Sequence, residues 1–461
     1  MRRSWSQKSP RRRAFSLPLC GGHALGQCVT AFALVTSFAA PANADSPADH
    51  ATTPAAGVVA LPPDIRTTHE ADLEPRRYEL AGFPVIGGNS DIGLQFGAAL
   101  TYTRFYDEAR PYLWNIDLLL SGSVKDDQNG FRMVQQSHVL RLDAPDLLGG
   151  IMRLDARGSF QRTINAGYYG IGNASQAGPA IGESILGRRY QYVQQEGRVR
   201  AIVRWHVAPP MDVAVGTNFR YEAPDIYPGT KLSEDMAGAS PVDRPLPGAQ
   251  PAFLASVAAG IMIDTRDSEF VTRQGIFYQL GLSAVGGSAE SVGYGEASAV
   301  LAHYASLGGP FIFANRIVGS FQFGHVPFYD LQQGGVFEPQ GLLGGETGVR
   351  GVPQGRYAGR VKMIANNEIR ATPFPRFVLF GQRLRVGTST FVDMGRVWSD
   401  YAVISPVDGN SIGLKYGIGG GLFLQWGEAA IFRVEVAYSP DAVAENPGFP
   451  VGLYVSDGLM F

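Results

Sequence analysis

From about residue 78 onward the chain is written in alternating segments of 11 to 18 residues, and few architectures accept strands of that length. In residues 92–106, Ile92, Leu94, Phe96, Ala98 and Leu100 share one parity, while Gly93, Gln95, Gly97, Thr101 and Thr103 share the other. Residues 190–207 repeat the pattern, with Val199, Ala201, Val203, Trp205 and Val207 against Gln194, Glu196, Arg198, Arg200, Arg204 and His206. A period of two is that of a β-strand. Soluble antiparallel sheets alternate as well, but their strands typically run ~5 to 6 residues, whereas ~9 to 11 tilted residues cross a bilayer. Hydrocarbon cannot satisfy the open edge of a sheet. Such strands must therefore close into a barrel, apolar outside and polar within.

Sixteen segments are predicted, at residues 81–87, 92–106, 112–124, 130–143, 150–163, 190–207, 211–221, 252–264, 275–285, 294–307, 311–326, 359–372, 379–397, 411–426, 430–440 and 450–461. The connections after even strands are mostly short, whereas those after strands 5, 7 and 11 are long, which is the bacterial pattern of periplasmic turns and outer loops. The expected fold is all-β: a 16-stranded antiparallel transmembrane barrel at residues 78–461. Trp114, Trp205, Trp426 and Trp398 fall near the predicted strand ends on the lipid-facing parity, where interfacial girdles lie.

The first 44 residues read as an export signal. Arg2, Arg3, Lys8 and Arg11 to Arg13 form a basic region, an apolar segment follows at residues 29–40, and Ala42-Asn43-Ala44 is a small-residue cleavage site. Removing these six basic residues leaves 33 against 41 acidic, a net charge of −8 that does not suit nucleic acid. Both cysteines, Cys20 and Cys28, lie in this signal, so no disulfide, thiolate metal site or lipidated cysteine is expected beyond it. Residues 45–77, rich in Ala, Pro and Thr, are expected to form a disordered periplasmic tail. The histidines have no H-E-x-x-H spacing and no G-x-S-x-G occurs, so neither catalysis nor a cofactor is expected.

Charge concentrates in one place that alternation does not explain. Residues 344–359 are rich in glycine and carry a Pro353-Gln354-Gly355 turn signal, so they form a folded loop with Arg350 at its tip. The strand after it puts Val361, Met363, Ala365 and Ile369 on one face and Lys362, Asn366, Glu368 and Arg370 on the other, so Glu368 points away from lipid.

Val349-Arg350-Gly351 within a loop carrying Gly344 and Gly345, followed by a strand ending Asn366-Asn367-Glu368-Ile369-Arg370, resembles the loop of the bacterial surface antigen superfamily, the BamA/TamA-type barrels. Phe391-Val392-Asp393-Met394-Gly395 is similar to that family's F-x-D-x-G strand. The resemblance implies an outer loop that folds inward between strands 11 and 12, where Arg350 pairs with Glu368, Asp393 or both as a latch. Where the family has an aromatic residue after the tripeptide, this chain has Val352. Asp264-Thr265-Arg266-Asp267 resembles a turn at the family's periplasmic rim and reads equally well as a charged turn with local hydrogen bonds. Phe461, aromatic and terminal, fits the signal by which outer-membrane barrels are recognised for insertion. The family's assembly members carry POTRA modules, for which the stretch before the barrel leaves no room.

The resemblance also implies a location in the bacterial outer membrane and a role in assembling or transporting outer-membrane proteins or lipids. Its partners would be outer-membrane lipid, the assembly machinery during biogenesis, and client proteins or lipids. The alternative is a passive structural or pore-forming barrel.

Overall fold

The computed structural model describes residues 76–461 apart from 107–108, 110–111, 128–129, 177–187, 240–245, 270, 290–291, 380–381, 402–404, 427–429, 445–449 and 458. The export signal and nearly all of the tail lie outside the described residues. The first eight barrel strands are β1 (Arg77–Asn89), β2 (Gly93–Phe105), β3 (Trp114–Asp127), β4 (Gly130–Leu147), β5 (Met152–Gly167), β6 (Gln191–Ala208), β7 (Met211–Glu222) and β8 (Ala252–Asp264). The other eight are β9 (Gly275–Gly287), β10 (Gly293–Gly308), β11 (Phe311–His325), β12 (Val361–Ala371), β13 (Gln382–Trp398), β14 (Lys415–Trp426), β15 (Ala430–Tyr438) and β16 (Val451–Asp457). A three-residue strand, Phe377–Leu379, extends the turn before β13. Each long strand pairs antiparallel with its sequence neighbours, and β1 pairs with β16 to close the barrel.

Alternation does the sorting. Phe253, Val257 and Ile261 of β8 are exposed on the lipid face, whereas Leu254 and Met262, one parity away, are buried against material in the lumen. Connections at one end are short, at residues 148–151, 209–210 and 309–310, and those at the other are long, at 168–190, 223–251, 326–360 and 399–414. The long end is the outer one. There Tyr168, Tyr192, Leu232, Leu246, Phe328, Tyr329 and Leu331 form one buried cluster, so the outer loops pack on each other over the mouth. Trp114 lies at the opposite end, packed against the rings of Tyr78 and Tyr102 at 6.2 and 5.5 Å on the outer surface. The side chain of Trp426 lies outside the described residues.

Several strands differ from their predicted bounds by up to four residues, β4, β5 and β14 among them, and two of the differences flank the closing seam. The first was expected at 81–87, yet β1 runs thirteen residues and pairs with β2 throughout, with Gly82, Pro84 and Gly87 inside it. Proline is tolerated there because most of β1 is an edge. Its pairing with β16 covers only Gly88 with Val455 and Asn89 with Tyr454, plus a bond from the Ser90 amide to the Leu453 carbonyl at 3.2 Å. The last strand was expected to reach residue 461 but ends at Asp457. The last residues then lie inside the barrel, so the lower part of β1 has no strand on its β16 side among the described residues.

Backbone amides on such a short ladder open before those of long ones. In hydrogen exchange on the folded barrel, β1 and β16 are expected to lose protection well before β5 and β6, which pair from Met152 to Gly167. Equal protection at the two places would contradict this description of the seam.

Candidate functional site

The loop of residues 326–360 enters the lumen from the outer mouth and is fastened to the wall as it descends. At its entry Asp330 accepts two bonds from Arg220 of β7, at 2.8 and 2.6 Å, and one from the Tyr294 hydroxyl at 2.8 Å. Burial alone would raise the Asp330 carboxyl, but Arg220 outweighs it and holds the group below the usual carboxylate range. Next, two-residue bridges, Gln333–Gly334 with Gln340–Gly341, present Phe337 to the wall, where it packs against Ile202, Ala214 and Met262. The Gly335 amide donates to Glu296 at 2.7 Å, the Val336 amide to the Ser298 hydroxyl at 2.9 Å, and Arg200 to the Phe337 carbonyl at 2.6 Å.

The tip is shaped by Gly344, whose φ is 132° and where a Cβ would sit 2.1 Å from the Pro353 carbonyl oxygen. Only glycine allows the two limbs of the loop to lie that close. Val349 and Val352 then pack with Leu342, Leu343, Tyr357, Ile364 and Val397, so the position after the tripeptide is filled by an aliphatic contact rather than an aromatic one.

Arg350 is fully buried. Its Nε and Nη2 bond the two oxygens of Asp393 on β13 at 2.7 and 3.0 Å, and its own amide adds a third bond to that carboxylate at 3.1 Å. Nη1 forms an ion pair with Glu368 of β12 at 2.6 Å and donates to both oxygens of Glu435 on β15 at 3.1 and 3.2 Å. The guanidinium lies over the Phe391 ring, 3.4 Å from its centroid. Arg370 and Arg433 complete the cluster at 2.7 Å from Glu368 and 3.4 Å from Glu435, so three guanidiniums face three carboxylates. The Gly351 amide donates to the hydroxyl of Tyr454 on β16 at 2.8 Å, which ties the tip to the seam strand.

The structure thus brings Arg350, Glu368 and Asp393 together, with Gly344, Gly345, Val349 and Gly351 in the loop around them. Glu435 and its neighbour Arg433 are the members that the sequence reading missed. The signal for Glu435 was available, since Val434 and Val436 share the lipid-facing parity and leave it pointing inward. Phe461 lies elsewhere than a final strand residue would. Its ring packs inside the barrel, 6.2 Å from that of Tyr304 and beneath Arg316 and Arg370, and its backbone oxygen accepts a bond from Arg370 at 2.9 Å. The turn at Asp264 is held locally, with Arg266 donating to both of its carboxylate oxygens at 2.9 and 2.7 Å. Among the described residues no group of His, Cys, Asp or Glu is placed to hold a metal ion.

Removing one member of a buried, hydrogen-bonded ion cluster strands the others, at about 3 to 5 kcal/mol. Arg350→Ala is therefore expected to lower the unfolding midpoint of the barrel and to make the loop sensitive to protease. Gly417→Ala tests the same placement from the wall, because its Cβ would lie 1.7 Å from the Arg350 carbonyl oxygen. Wild-type protease resistance and midpoint in both variants would show that the tip is not seated as described.

The Omp85 superfamily domain matches residues 184–451, more than half of the chain and the part that contains the Arg350 loop and its carboxylates. No curated protein sequence matches this chain. Among solved structures, BamA from Haemophilus ducreyi lacking POTRA domains 1–3 aligns with a TM-score of 0.50 at 14% identity, covering 84% of this chain and 70% of that one. CdiB from Escherichia coli aligns with a TM-score of 0.51 at 13% identity, covering 82% of this chain and 62% of that one. Both likenesses concern the fold. Strand number, inward loop and domain match agree, and the chain belongs to the Omp85 superfamily of outer-membrane β-barrels.

Proposed function

We propose that this barrel takes part in assembling or transporting outer-membrane proteins or lipids by opening laterally between β1 and β16. The observation that carries this reading is the seam. Two paired positions close it, while residues 78–87 of β1, paired with β2 on one side, have no strand paired on the β16 side among the described residues, an edge to which an incoming strand can add. The loop supplies a reason for control, since Gly351 holds Tyr454 and Tyr454 faces Asn89 across the seam. A shift of the Arg350 latch is thereby felt at the closing pair. The lumen argues against an open diffusion pore, because the loop fills it from above and Phe461 enters from below.

A disulfide across the seam tests the proposal. Ser90→Cys with Leu453→Cys, oxidised in cells, is expected to reproduce the altered outer-membrane composition of a deletion strain, and reduction is expected to reverse it. If the locked barrel sustains wild-type composition while deletion does not, lateral opening is not its mechanism. Loss of a single solute permeability on deletion, with all other barrels intact, would favour a pore instead.

We also propose that Phe461 is read during insertion, before its ring is drawn into the lumen. Deleting Phe461 is expected to reduce the amount of barrel in the outer membrane. Normal levels of the truncated chain would refute this role.

A further inference from the structure

The outward surface is apolar over most of its height, as lipid requires, but across β9 to β12 it carries a row of polar groups. Tyr278, His303, Asn315 and Asn367 face outward, since their chain neighbours Gln279, Ala302, Tyr304, Ala314, Arg316, Asn366 and Glu368 are buried on the lumen side. His303 pairs with Asn315 across one strand boundary and Asn315 with Asn367 across the next. The Tyr278 hydroxyl bonds His303 Nε2, Asn315 Nδ2 donates to Asn367 Oδ1 at 2.8 Å, and Asn367 Nδ2 donates to the Val392 carbonyl at 3.3 Å. Apolar side chains continue on both sides, with Leu280 and Leu282 toward the outer mouth and Phe311, Phe313 and Ile369 toward the periplasm. The row thus sits within the apolar band. Polar groups are costly there and mark function more often than accident.

Above the row, past the outward pair of Leu301 and Ile317, the wall is dented. The outward residues of β10 and β11 become Ala297, Ala299 and Gly319, while Leu280 and Leu282 stand on one side and Phe321 and Met363 on the other, leaving an apolar groove of about 640 Å³. A Cβ built at Gly319 meets nothing within 4 Å, so the space above it is open. Among the described residues, neither Asn315 Oδ1 nor His303 Nδ1 has a hydrogen-bond partner, so the row retains capacity for both a donor and an acceptor.

We propose that this face binds one glycerophospholipid of the periplasmic leaflet. Its acyl chain runs over Leu301 and Ile317 into the groove at Ala299 and Gly319. Its glycerol ester region reaches the row, where His303 Nδ1 donates to an ester carbonyl and Asn315 Oδ1 accepts from a headgroup N–H or O–H. Direction selects the leaflet. β11 rises from the periplasmic turn at Phe311, so the polar row lies nearer the periplasm than the groove does, which matches a lipid with its head below its tail. A lipid of the outer leaflet has the opposite polarity and would lay its chain across the asparagines. A second copy of the chain fits poorly, since a two-fold contact would place one concave face against another.

Native mass spectrometry of the intact barrel released from membranes into detergent tests this. The wild type is expected to retain one phospholipid. Gly319→Leu, which fills the groove, is expected to lose it, as is the double variant Asn315→Leu with Asn367→Leu. Val199→Leu, outward on a distant strand, is expected to keep it, and heat-modifiable gel mobility checks that every variant is folded. Equal phospholipid retention in wild type and folded Gly319→Leu overturns the proposal. So does a wild type that carries no lipid, that carries an outer-leaflet glycolipid displaced by Gly319→Leu, or that forms a dimer abolished by that substitution.

Discussion

A guanidinium cannot be taken out of water unless charges and hydrogen bonds replace the water around it, and the position of Arg350 follows from that requirement. Asp393, Glu368 and Glu435 stand on three different strands, β13, β12 and β15, and converge on one side chain. Arg350 is satisfied only at that depth and in that orientation. The loop that carries it is consequently specified at its tip, far from either anchor in the wall. Glycines then follow as a steric consequence, since at Gly344 and Gly348 in the loop, and at Gly417 in the wall beside it, backbone approaches backbone too closely for a side chain.

The interior and the closing seam contrast. Inside, ion pairs and aliphatic contacts fasten the loop to most of the barrel's circumference, from Arg220 and Arg200 on one wall to Asp393 and Glu435 on the other. At the seam, two paired positions close a ladder that elsewhere runs seven or more residues, and twelve between Met211 to Glu222 and β8. Cohesion is thus concentrated in the plug, and the wall has one weak line. Because Tyr454 belongs to both, plug and seam are not independent.

The lipid face adds a second asymmetry. Opposite parity along β9 to β12 places charged groups of the plug network, such as Glu296, Arg316 and Glu368, on one side of the wall and the Tyr278, His303, Asn315 and Asn367 row on the other. These strands are polar on both faces at one height. The first set holds the loop, and the second bonds within itself on the lipid side, Tyr278 to His303 and Asn315 to Asn367.

Much of this was legible in the sequence because a two-residue period determines facing and strand length determines the solvent. Alternation in Ile92 to Thr103 or Gln194 to Val207 dictates strands with one apolar side, and their length dictates a closed barrel in lipid. The facing of Glu368 was legible for the same reason, whereas its pairing with Arg350, and that of Asp393, was implied by the likeness of the loop and of the F-x-D-x-G strand to the surface antigen family. Three features were decided only by tertiary structure. Glu435 joins the cluster because closure of the barrel brings β15 opposite β12. The length of β1 depends on whether its neighbour continues beside it, since Pro84 is excluded from a paired strand but not from an edge. Phe461 turns inward because Arg370 and Tyr304 offer a better site than a lipid-facing end, and no local pattern records a partner some ninety residues away. Facing is a property of successive residues, whereas convergence across the lumen depends on the register of every strand between.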